Sequence, residues 1–513
     1  MLYCLTGLAR TGPPSRELER VPRAAYPIGG EPMSTRSLGL LLALVVGSLA
    51  GPSACPAVGD SLAEGLAAFK NGDFPAAIER FSAACEERPN EAASYAWLGT
   101  AQLRAGQYED AIATLTKATE LDPKMPEAHN NLGSAYWELG KSKEAIEHYQ
   151  QTVYLQPHYV VPHYNLGTIY LALADPGRAE GEFTVVVELD PKNADAHNNL
   201  GVARERAGRL GGAIASYRRA VELKPDNHSF RLNLSLALKN AGQKEEAIQQ
   251  LSRLAAAGSS DPAVYLNLGL LRYERGERWP ALAAFRQAAE QDPQNGSAYY
   301  NIGLCARQLG DRQGAKNALK KAVEVDPGLA NAHINLGAME LDEGNAAAAV
   351  EHFSAALKAA PESYPAAFDL GLAYLRLGND EDAIRVWSAL AEREPDDAAV
   401  REALASVHFR LQRYDPAKRE YEALLKLRPK NVAAHNNLGI IYERFGLFDQ
   451  AEKAYLAALA LDPHYASAHN NLGVLYERQG KLDAAAAEYR AALAADPNLE
   501  DAKRNLARLA APE

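Results

Sequence analysis

Cysteine and aromatic residues are scarce in this sequence of 513 residues. It contains four cysteines (Cys4, Cys55, Cys85 and Cys305), and aromatic residues make up 8% of the chain. Four scattered cysteines are too few for a disulfide framework or a metal cluster. The chain is rich in Ala, Leu, Glu and Arg, which favour helices. We therefore predict an all-α protein rather than a strand-rich one.

The sequence also lacks an excess of positive charge. Lys and Arg number 54 against 65 Asp and Glu, which gives a formal net charge of −11. A protein that binds nucleic acid relies on attraction to phosphate, and this charge balance does not supply it. We predict no nucleic-acid partner.

Catalytic and cofactor-binding motifs are missing as well. The sequence contains no GxxxxGK[ST], no GxGxxG after a strand, no HExxH, no GxSxG and no CxxC. These patterns place phosphate-binding loops, metal ligands and nucleophiles. We predict that the protein is not an enzyme and has no cofactor and no metal site.

The one long apolar run lies in a leader, residues 1–57. It extends from Leu38 to Ala50, about 13 residues, whereas a membrane-spanning helix needs about 20. Arg36 precedes the run, and Ser48-Leu49-Ala50 offers small residues for cleavage, as in a secretory signal peptide. The leader predicts an exported, periplasmic or envelope-associated protein with no membrane span in the mature chain. The protein is cytoplasmic if the leader is not a signal.

Two points about this leader stay open. Translation starts at Met33, or residues 1–32 form a disordered extension. Cys55 carries a lipid anchor or has no specific role, and Pro52 stands where bacterial lipoproteins usually have Leu.

The rest of the chain repeats every 34 residues. Prolines mark the period at 89, 123, 157, 191, 225, 293, 327, 361, 395, 429, 463 and 497. Counted from residue 58, thirteen repeats fill residues 58–499 without an insertion, and we number the positions of each repeat from 1 to 34.

Each repeat has the pattern of two packed helices, A and B. Leu-Gly recurs at positions 7 and 8, Gly at position 15, Ala at position 20, an aromatic residue at position 24 and Pro at position 32. Small residues at positions 8 and 20 allow the two helices to approach closely. Gly at position 15 ends helix A in a left-handed cap, and Pro ends helix B.

This pattern resembles the tetratricopeptide repeat family over residues 58–499. The resemblance implies a right-handed superhelical solenoid of about thirteen helix-turn-helix repeats, with helix A of each repeat lining a concave groove. Residues 500–513 carry Ala502, Leu506 and Leu509 at helical spacing between charged residues, which is typical of the polar capping helix that a solenoid needs. Repeats 6 and 11 fit least well, and are either flexible joints or ordinary drift.

Asparagine fills position 6 of helix A in most repeats, although it lowers helix stability by about 0.6 kcal/mol relative to Ala. A carboxamide can both donate and accept, so this column can pair with an extended peptide at about every third residue, since repeats stack roughly 10 Å apart. The alternative is consensus packing or capping without a ligand. The predicted peptide-binding residues are Asn131, Asn165, Asn199, Asn233, Asn267, Asn301, Asn335, Asn437, Asn471 and Asn505.

Histidine recurs at position 4, two residues before the asparagine column. The residues are His129, His163, His197, His333, His435 and His469. Metal ligands must lie about 2 Å from one ion, and residues in successive repeats are too far apart for that. The histidines are expected either to pack between helices or to make polar contacts at the groove edge.

The asparagine column and the His-Asn-Asn-Leu-Gly segments at 129, 197, 435 and 469 resemble the repeats of the protein O-GlcNAc transferase family, without its catalytic domain. We expect a non-catalytic scaffold whose partners are proteins or extended peptides bound in the concave groove, in the cell envelope. The alternative is a substrate-recruiting component of an O-GlcNAc-transferase-like glycosyltransferase system.

Overall fold

The computed structural model describes residues 60–510, and the predicted signal peptide and Cys55 lie outside them. Residues 60–510 form 27 helices and no strands, which confirms the all-α prediction. This number is consistent with thirteen helix pairs followed by one C-terminal helix. Within the same residues, no helix is both long enough and apolar enough to cross a bilayer.

The described residues divide into two compact parts, the N-terminal part (residues 60–291) and the C-terminal part (residues 292–510). The helices of the N-terminal part are α1 Asp60–Lys70, α2 Phe74–Glu87, α3 Ala92–Arg104, α4 Tyr108–Leu121, α5 Pro126–Glu138, α6 Ser142–Leu155, α7 Val160–Ala172, α8 Pro176–Leu189, α9 Ala194–Arg206, α10 Leu210–Leu223, α11 His228–Asn240, α12 Lys244–Ala256, α13 Pro262–Glu274 and α14 Arg278–Gln291. Those of the C-terminal part are α15 Gly296–Gln308, α16 Arg312–Val325, α17 Ala330–Asp342, α18 Ala346–Ala359, α19 Tyr364–Arg376, α20 Asp380–Arg393, α21 Ala398–Arg410, α22 Tyr414–Leu427, α23 Val432–Arg444, α24 Phe448–Leu461, α25 Ala466–Arg478, α26 Leu482–Ala495 and α27 Glu500–Ala510.

Helices A and B of each repeat are in close contact, as the small residues predict. The alanine at position 20 is 0% exposed in all thirteen repeats. At position 8, a Cβ added to Gly133 would lie 2.9 Å from the ring of Tyr149, and one added to Gly167 would lie 2.8 Å from the ring of Phe183. Such distances are shorter than van der Waals contact allows, so the rings of Tyr149 and Phe183 leave room only for glycine opposite them. Repeat 11 accommodates Ala405 opposite Tyr421.

The turn between helices A and B requires a left-handed residue at position 15. The glycines there have φ between 70° and 84°, which confirms the predicted cap. Ala174 in repeat 4 and Gln412 in repeat 11 adopt the same conformation, with φ of 56° and 58°. A side chain is strained in this region, so these two turns are weaker than the others.

Helix B of repeat 6 ends differently. Its α12 has 13 residues rather than the usual 14, and Gly258, with φ 73°, follows its end. The backbone N–H of Ser259 then donates to the carbonyl of Leu254 over 3.1 Å. A glycine cap therefore replaces the proline that ends helix B in other repeats.

Candidate functional site

The asparagines of position 6 lie in the middle of each helix A, and they differ in exposure. Five are at most 2% exposed, namely Asn165, Asn199, Asn233, Asn267 and Asn301. The other five are half-buried, namely Asn131, Asn335, Asn437, Asn471 and Asn505. Only the second group is open to a ligand without a movement of the surrounding helices.

The amide donors of this column connect each repeat to the preceding one. Asn199 Nδ2 donates to the hydroxyl of Tyr164 over 3.0 Å, and Asn233 Nδ2 donates to Oδ1 of Asn198 over 2.9 Å. Nδ2 also donates a hydrogen bond to the preceding repeat in Asn131, Asn165, Asn335, Asn437, Asn471 and Asn505. Asn267 and Asn301 donate instead to a carbonyl of their own helix.

Paired asparagines at positions 5 and 6 extend these bonds into a chain. Asn198 Nδ2 donates to Asn199 Oδ1 over 3.2 Å within the same repeat. Asn198 Oδ1 in turn accepts from Asn233 of the next repeat. Both ends of the Asn198 and Asn199 carboxamides are thus used, which gives this Asn-Asn dipeptide a structural role that the sequence pattern alone did not predict.

Several acceptors of the column are occupied in other ways. Lys239 Nζ donates to Oδ1 of Asn267 over 2.6 Å, and a guanidinium nitrogen of Arg307 donates to Oδ1 of Asn335 over 2.7 Å. Asn165 Oδ1 and Asn301 Oδ1 are buried and receive no hydrogen bond from the described residues. An unpaired buried acceptor costs about 1–3 kcal/mol.

Asn471 and Asn505 present accessible acceptors on α25, which is helix A of repeat 13, and on α27, the C-terminal helix. Their Nδ2 groups donate to Asn436 and Asn470, over 2.9 and 3.0 Å. Within residues 60–510, neither Oδ1 accepts a hydrogen bond, and both side chains are half-buried. Two acceptors one repeat apart are available here to a backbone N–H of a partner.

The position-4 residues bind the turn that ends the preceding repeat. Nε2–H of His163 donates to the carbonyl of Pro157 over 3.0 Å, and His435 does the same to Pro429 over 2.9 Å. Matching bonds start from His129, His197 and His469, and from Arg231 and Arg401 in repeats without histidine. The constant separation of six residues between proline and position 4 is the sequence signal for this contact.

In four repeats, the second ring nitrogen of the position-4 histidine contacts the residue at position 23 of helix B. The residue at position 23 differs between these repeats. In repeat 4, Nδ1 of His163 lies 2.6 Å from Oε2 of Glu182. In repeat 3, Nδ1 of His129 lies 3.2 Å from Nδ1 of His148. Because Nε2 of His129 already donates to a carbonyl, His148 must be the donor between the two rings.

These partners shift the histidine pKa values in opposite directions. Burial, together with the neighbouring ring of His129, lowers the pKa of His148. Burial also tends to lower the pKa of His163, but its hydrogen bonds to Glu182 and to the carbonyl of Pro157 outweigh this and raise it. His333 and His352 repeat the first arrangement in repeat 9, at 3.3 Å, and the pKa of each is lowered, mainly by burial.

No cluster of three or more His, Cys, Asp or Glu side chains suited to a metal ion occurs in residues 60–510. The histidines of position 4 are each used within one repeat and the preceding turn. The candidate site is therefore a set of carboxamides along helix A.

Comparison with known proteins agrees with this architecture. Three sequence models described as tetratricopeptide repeat match the chain: the first at residues 62–126, 98–159, 164–228, 408–451 and 444–500, the second at 205–268 and 340–407, and the third at 296–329. The comparison with curated proteins gave no match.

Solved structures similar to the chain include three repeat proteins. A crystal structure of MamA is 26% identical, with a TM-score of 0.31, and the match covers 32% of this chain and 90% of MamA. YrrB, a TPR protein with an unusual peptide-binding site, is 21% identical over 42% of this chain and 95% of its own, with a TM-score of 0.29. Yeast Tom70 is 16% identical over 88% and 94%, with a TM-score of 0.30. The repeat-family matches, which together cover most of residues 62–500, show that the chain belongs to the tetratricopeptide repeat family.

Proposed function

We propose that the protein is a non-catalytic scaffold that binds extended segments of other proteins along the helix-A face of its last repeats. Tetratricopeptide repeat proteins generally serve as protein-interaction scaffolds, and such scaffolds are typically non-catalytic. The observation that carries the proposal is the pair of accessible acceptors, Asn471 Oδ1 on α25 and Asn505 Oδ1 on α27, which lie one repeat apart.

The spacing of these acceptors suits an extended chain. Neighbouring helices pack roughly 8–10 Å apart, and an extended chain advances about 3.3 Å per residue. One backbone N–H in about every third residue can therefore reach an acceptor in each repeat. Because Asn471 Nδ2 already donates to Asn436, the column contributes acceptors to the peptide rather than both halves of the carboxamide.

We place this scaffold in the cell envelope, supported by the signal-peptide pattern of Leu38 to Ala50. No contact among residues 60–510 favours recruitment of substrates to a glycosyltransferase, and that alternative stays a prediction.

The experiment selects peptides from a displayed random library on the immobilised full chain and measures their affinity by fluorescence anisotropy. Replacing Asn471 and Asn505 together by Ala should weaken binding of the selected peptides about thirtyfold, because two hydrogen bonds of about 1 kcal/mol each are lost. Asn317→Ala, on the exposed surface of helix B in repeat 8, is the control and should leave affinity unchanged.

Hydrogen exchange in α25 and α27 checks that the double variant stays folded. Peptides that bind the folded double variant as tightly as the unchanged chain would show that this face is not the binding surface. A library that yields no binding peptide would contradict the scaffold proposal itself.

A further inference from the structure

Arginine occupies position 13, the last residue of helix A, in four consecutive repeats. The residues are Arg376, Arg410, Arg444 and Arg478, and all four are exposed. In repeats 3–9 the same position holds Glu138, Ala172, Arg206, Asn240, Glu274, Gln308 and Asp342. A cation at the C-terminus of a helix complements the helix dipole, and helix A of repeats 5 to 8 also carries one in its last turn, whereas that of repeats 3, 4 and 9 does not. The dipole therefore favours a cation near the end of helix A, but it does not require arginine at position 13 itself.

Two of the four arginines have no internal partner. Arg410 pairs with Asp380, and Arg478 lies 3.0 Å from Glu443. Among the described residues, neither Arg376 nor Arg444 forms an ion pair. Arg376 and Arg444 are therefore exposed positive charges without an internal partner in a chain with a net charge of −11, and they are free to meet a negative partner.

These arginines share a helix stripe with the asparagine column. Positions 6 and 13 are seven residues apart, so Asn437 and Arg444 lie on the same side of α23. Position 9 lies between them on that stripe and holds the half-buried residues Leu372, Ser406, Ile440 and Val474. Position 6 itself holds Asn437 and Asn471 in repeats 12 and 13, but Asp369 and the buried Ala403 in repeats 10 and 11. We call positions 9 and 13 of repeats 10–13, together with Asn437 and Asn471, the arginine face.

The carboxylates beside this face are already bound. Glu443 accepts from the hydroxyl of Tyr455 over 3.1 Å, in addition to its contact with Arg478. Glu477 accepts from the hydroxyl of Tyr489 and from Arg508, each over 2.7 Å. Neither carboxylate is left to neutralise Arg376 or Arg444.

We propose that the arginine face binds an acidic protein segment in extended conformation, with a carboxylate at about every third residue. This inference rests on the proposed function and specifies the class of its partner. Repeats lie roughly 10 Å apart and three extended residues cover about the same distance, so each carboxylate faces one repeat. Those that face Arg376 and Arg444 meet unpaired arginines, whereas Arg410 and Arg478 already pair with Asp380 and Glu443. Leu372, Ile440 and Val474 of position 9 contact the side chains between the carboxylates.

The composition of the face favours a peptide over a single-stranded nucleic acid. Binding of single strands combines positive charge with aromatic rings on which bases stack. Positions 6, 9 and 13 of repeats 10–13 carry no aromatic residue. The carboxamides of Asn437 and Asn471 suit a peptide backbone instead.

The test measures anisotropy of labelled probes with the full chain at low and moderate salt. The probes are a peptide of four Glu-Ser-Thr triplets, its Gln-Ser-Thr counterpart and a thymidine oligonucleotide of the same length. The acidic peptide should bind about tenfold more tightly than the neutral one at low salt, and the difference should shrink as salt screens the charges. Replacing Arg376 and Arg444 together by Gln should remove this advantage, a loss of about tenfold.

A matched variant shows whether the position of the arginines or the net charge of the chain determines the affinity for the acidic peptide. Arg419→Gln with Arg490→Gln removes two exposed arginines of helix B and should leave the affinity for the acidic peptide unchanged. Equal binding of acidic and neutral peptides, with both weakened by the Asn471 and Asn505 variant, would overturn the acidic partner while leaving the scaffold in place. Absence of binding by either peptide would overturn the acidic partner, and the library selection then decides whether the scaffold proposal stands. Tighter, arginine-dependent binding of the oligonucleotide would replace the acidic peptide by a nucleic acid.

Discussion

In the N-terminal part of the chain, Asn199 and Asn233 are 0% exposed, whereas in the C-terminal part Asn471 and Asn505 hold the same repeat position and are half-buried. Their Nδ2 groups make the same kind of bond to the preceding repeat. The surroundings differ: in repeat 4, every residue from Val161 to Leu171 is buried, while in repeat 13 helix A buries Ala468, Leu472, Gly473 and Leu475. One recurring pattern along the chain is thus buried among the helices in repeats 4–8 and leaves acceptors accessible in repeat 13 and the C-terminal helix.

The largest expected effect is on stability, and it tests whether the buried and the half-buried asparagines contribute differently to it. Asn233→Ala leaves Oδ1 of Asn198 buried without its donor, and should destabilise repeats 5 and 6 by about 2 kcal/mol. Asn505→Ala removes the equivalent bond to Asn470, but that acceptor is half-exposed and water replaces the donor, so the loss should stay below about 1 kcal/mol. Hydrogen exchange of the helices on each side measures the two losses separately. Equal losses would mean that burial does not distinguish the two regions.

A smaller effect concerns the pH dependence of stability, which should differ in sign between the neighbouring repeats 3 and 4 of the N-terminal part. The pKa values of His148 and His352 are lowered in the folded chain, so repeats 3 and 9 lose stability as pH falls below about 6.5. The pKa of His163 is raised, so its contribution to repeat 4 is full below about 6.5 and is lost as pH rises through the folded value. Between pH 7.5 and 5.5, hydrogen-exchange protection should decrease in repeats 3 and 9 and increase in repeat 4.

His148→Glu is the matched control for this pH response. It gives repeat 3 the histidine-carboxylate pair that repeat 4 has, and it should reverse the sign of the response in α5 and α6. An unchanged sign in this variant would show that the contact between positions 4 and 23 does not control the pH dependence.

The smallest expected effect concerns the two strained turns, one in each part. Ala174→Gly and Gln412→Gly should each stabilise the chain by about 1 kcal/mol, because glycine adopts positive φ without strain. Thermal melting of each variant measures the gain. Gly208→Ala, at the same position of repeat 5 with φ 77°, should cause a loss of similar size. If neither glycine variant raises the melting temperature, the left-handed conformation is not a source of strain at these turns.

The helical architecture could be predicted almost entirely from the sequence. The prolines at intervals of 34 residues, the glycines at position 15 and the alanines at position 20 act within one repeat, so their effect does not depend on distant residues. The exposure of Asn233 and Asn471 could not be predicted in this way. It depends on how the adjoining helices surround each asparagine, and the two residues are indistinguishable in the repeat pattern. The arginines at 376, 410, 444 and 478 follow the same period and are visible in the sequence, but the sequence analysis did not predict a role for them.

The bonds from the asparagine column to the preceding repeat also have a direction along the chain. In each of them, as at Asn233 and Asn198, the donor belongs to the later repeat and the acceptor to the earlier one. The histidines of position 4 likewise donate backwards, as His163 does to Pro157. The earlier repeat also emerges first when the chain is exported from its N-terminal end, so each later helix A meets acceptors that are already in place. The repeats can therefore assemble in the order in which they emerge, with every new repeat completing the one before it.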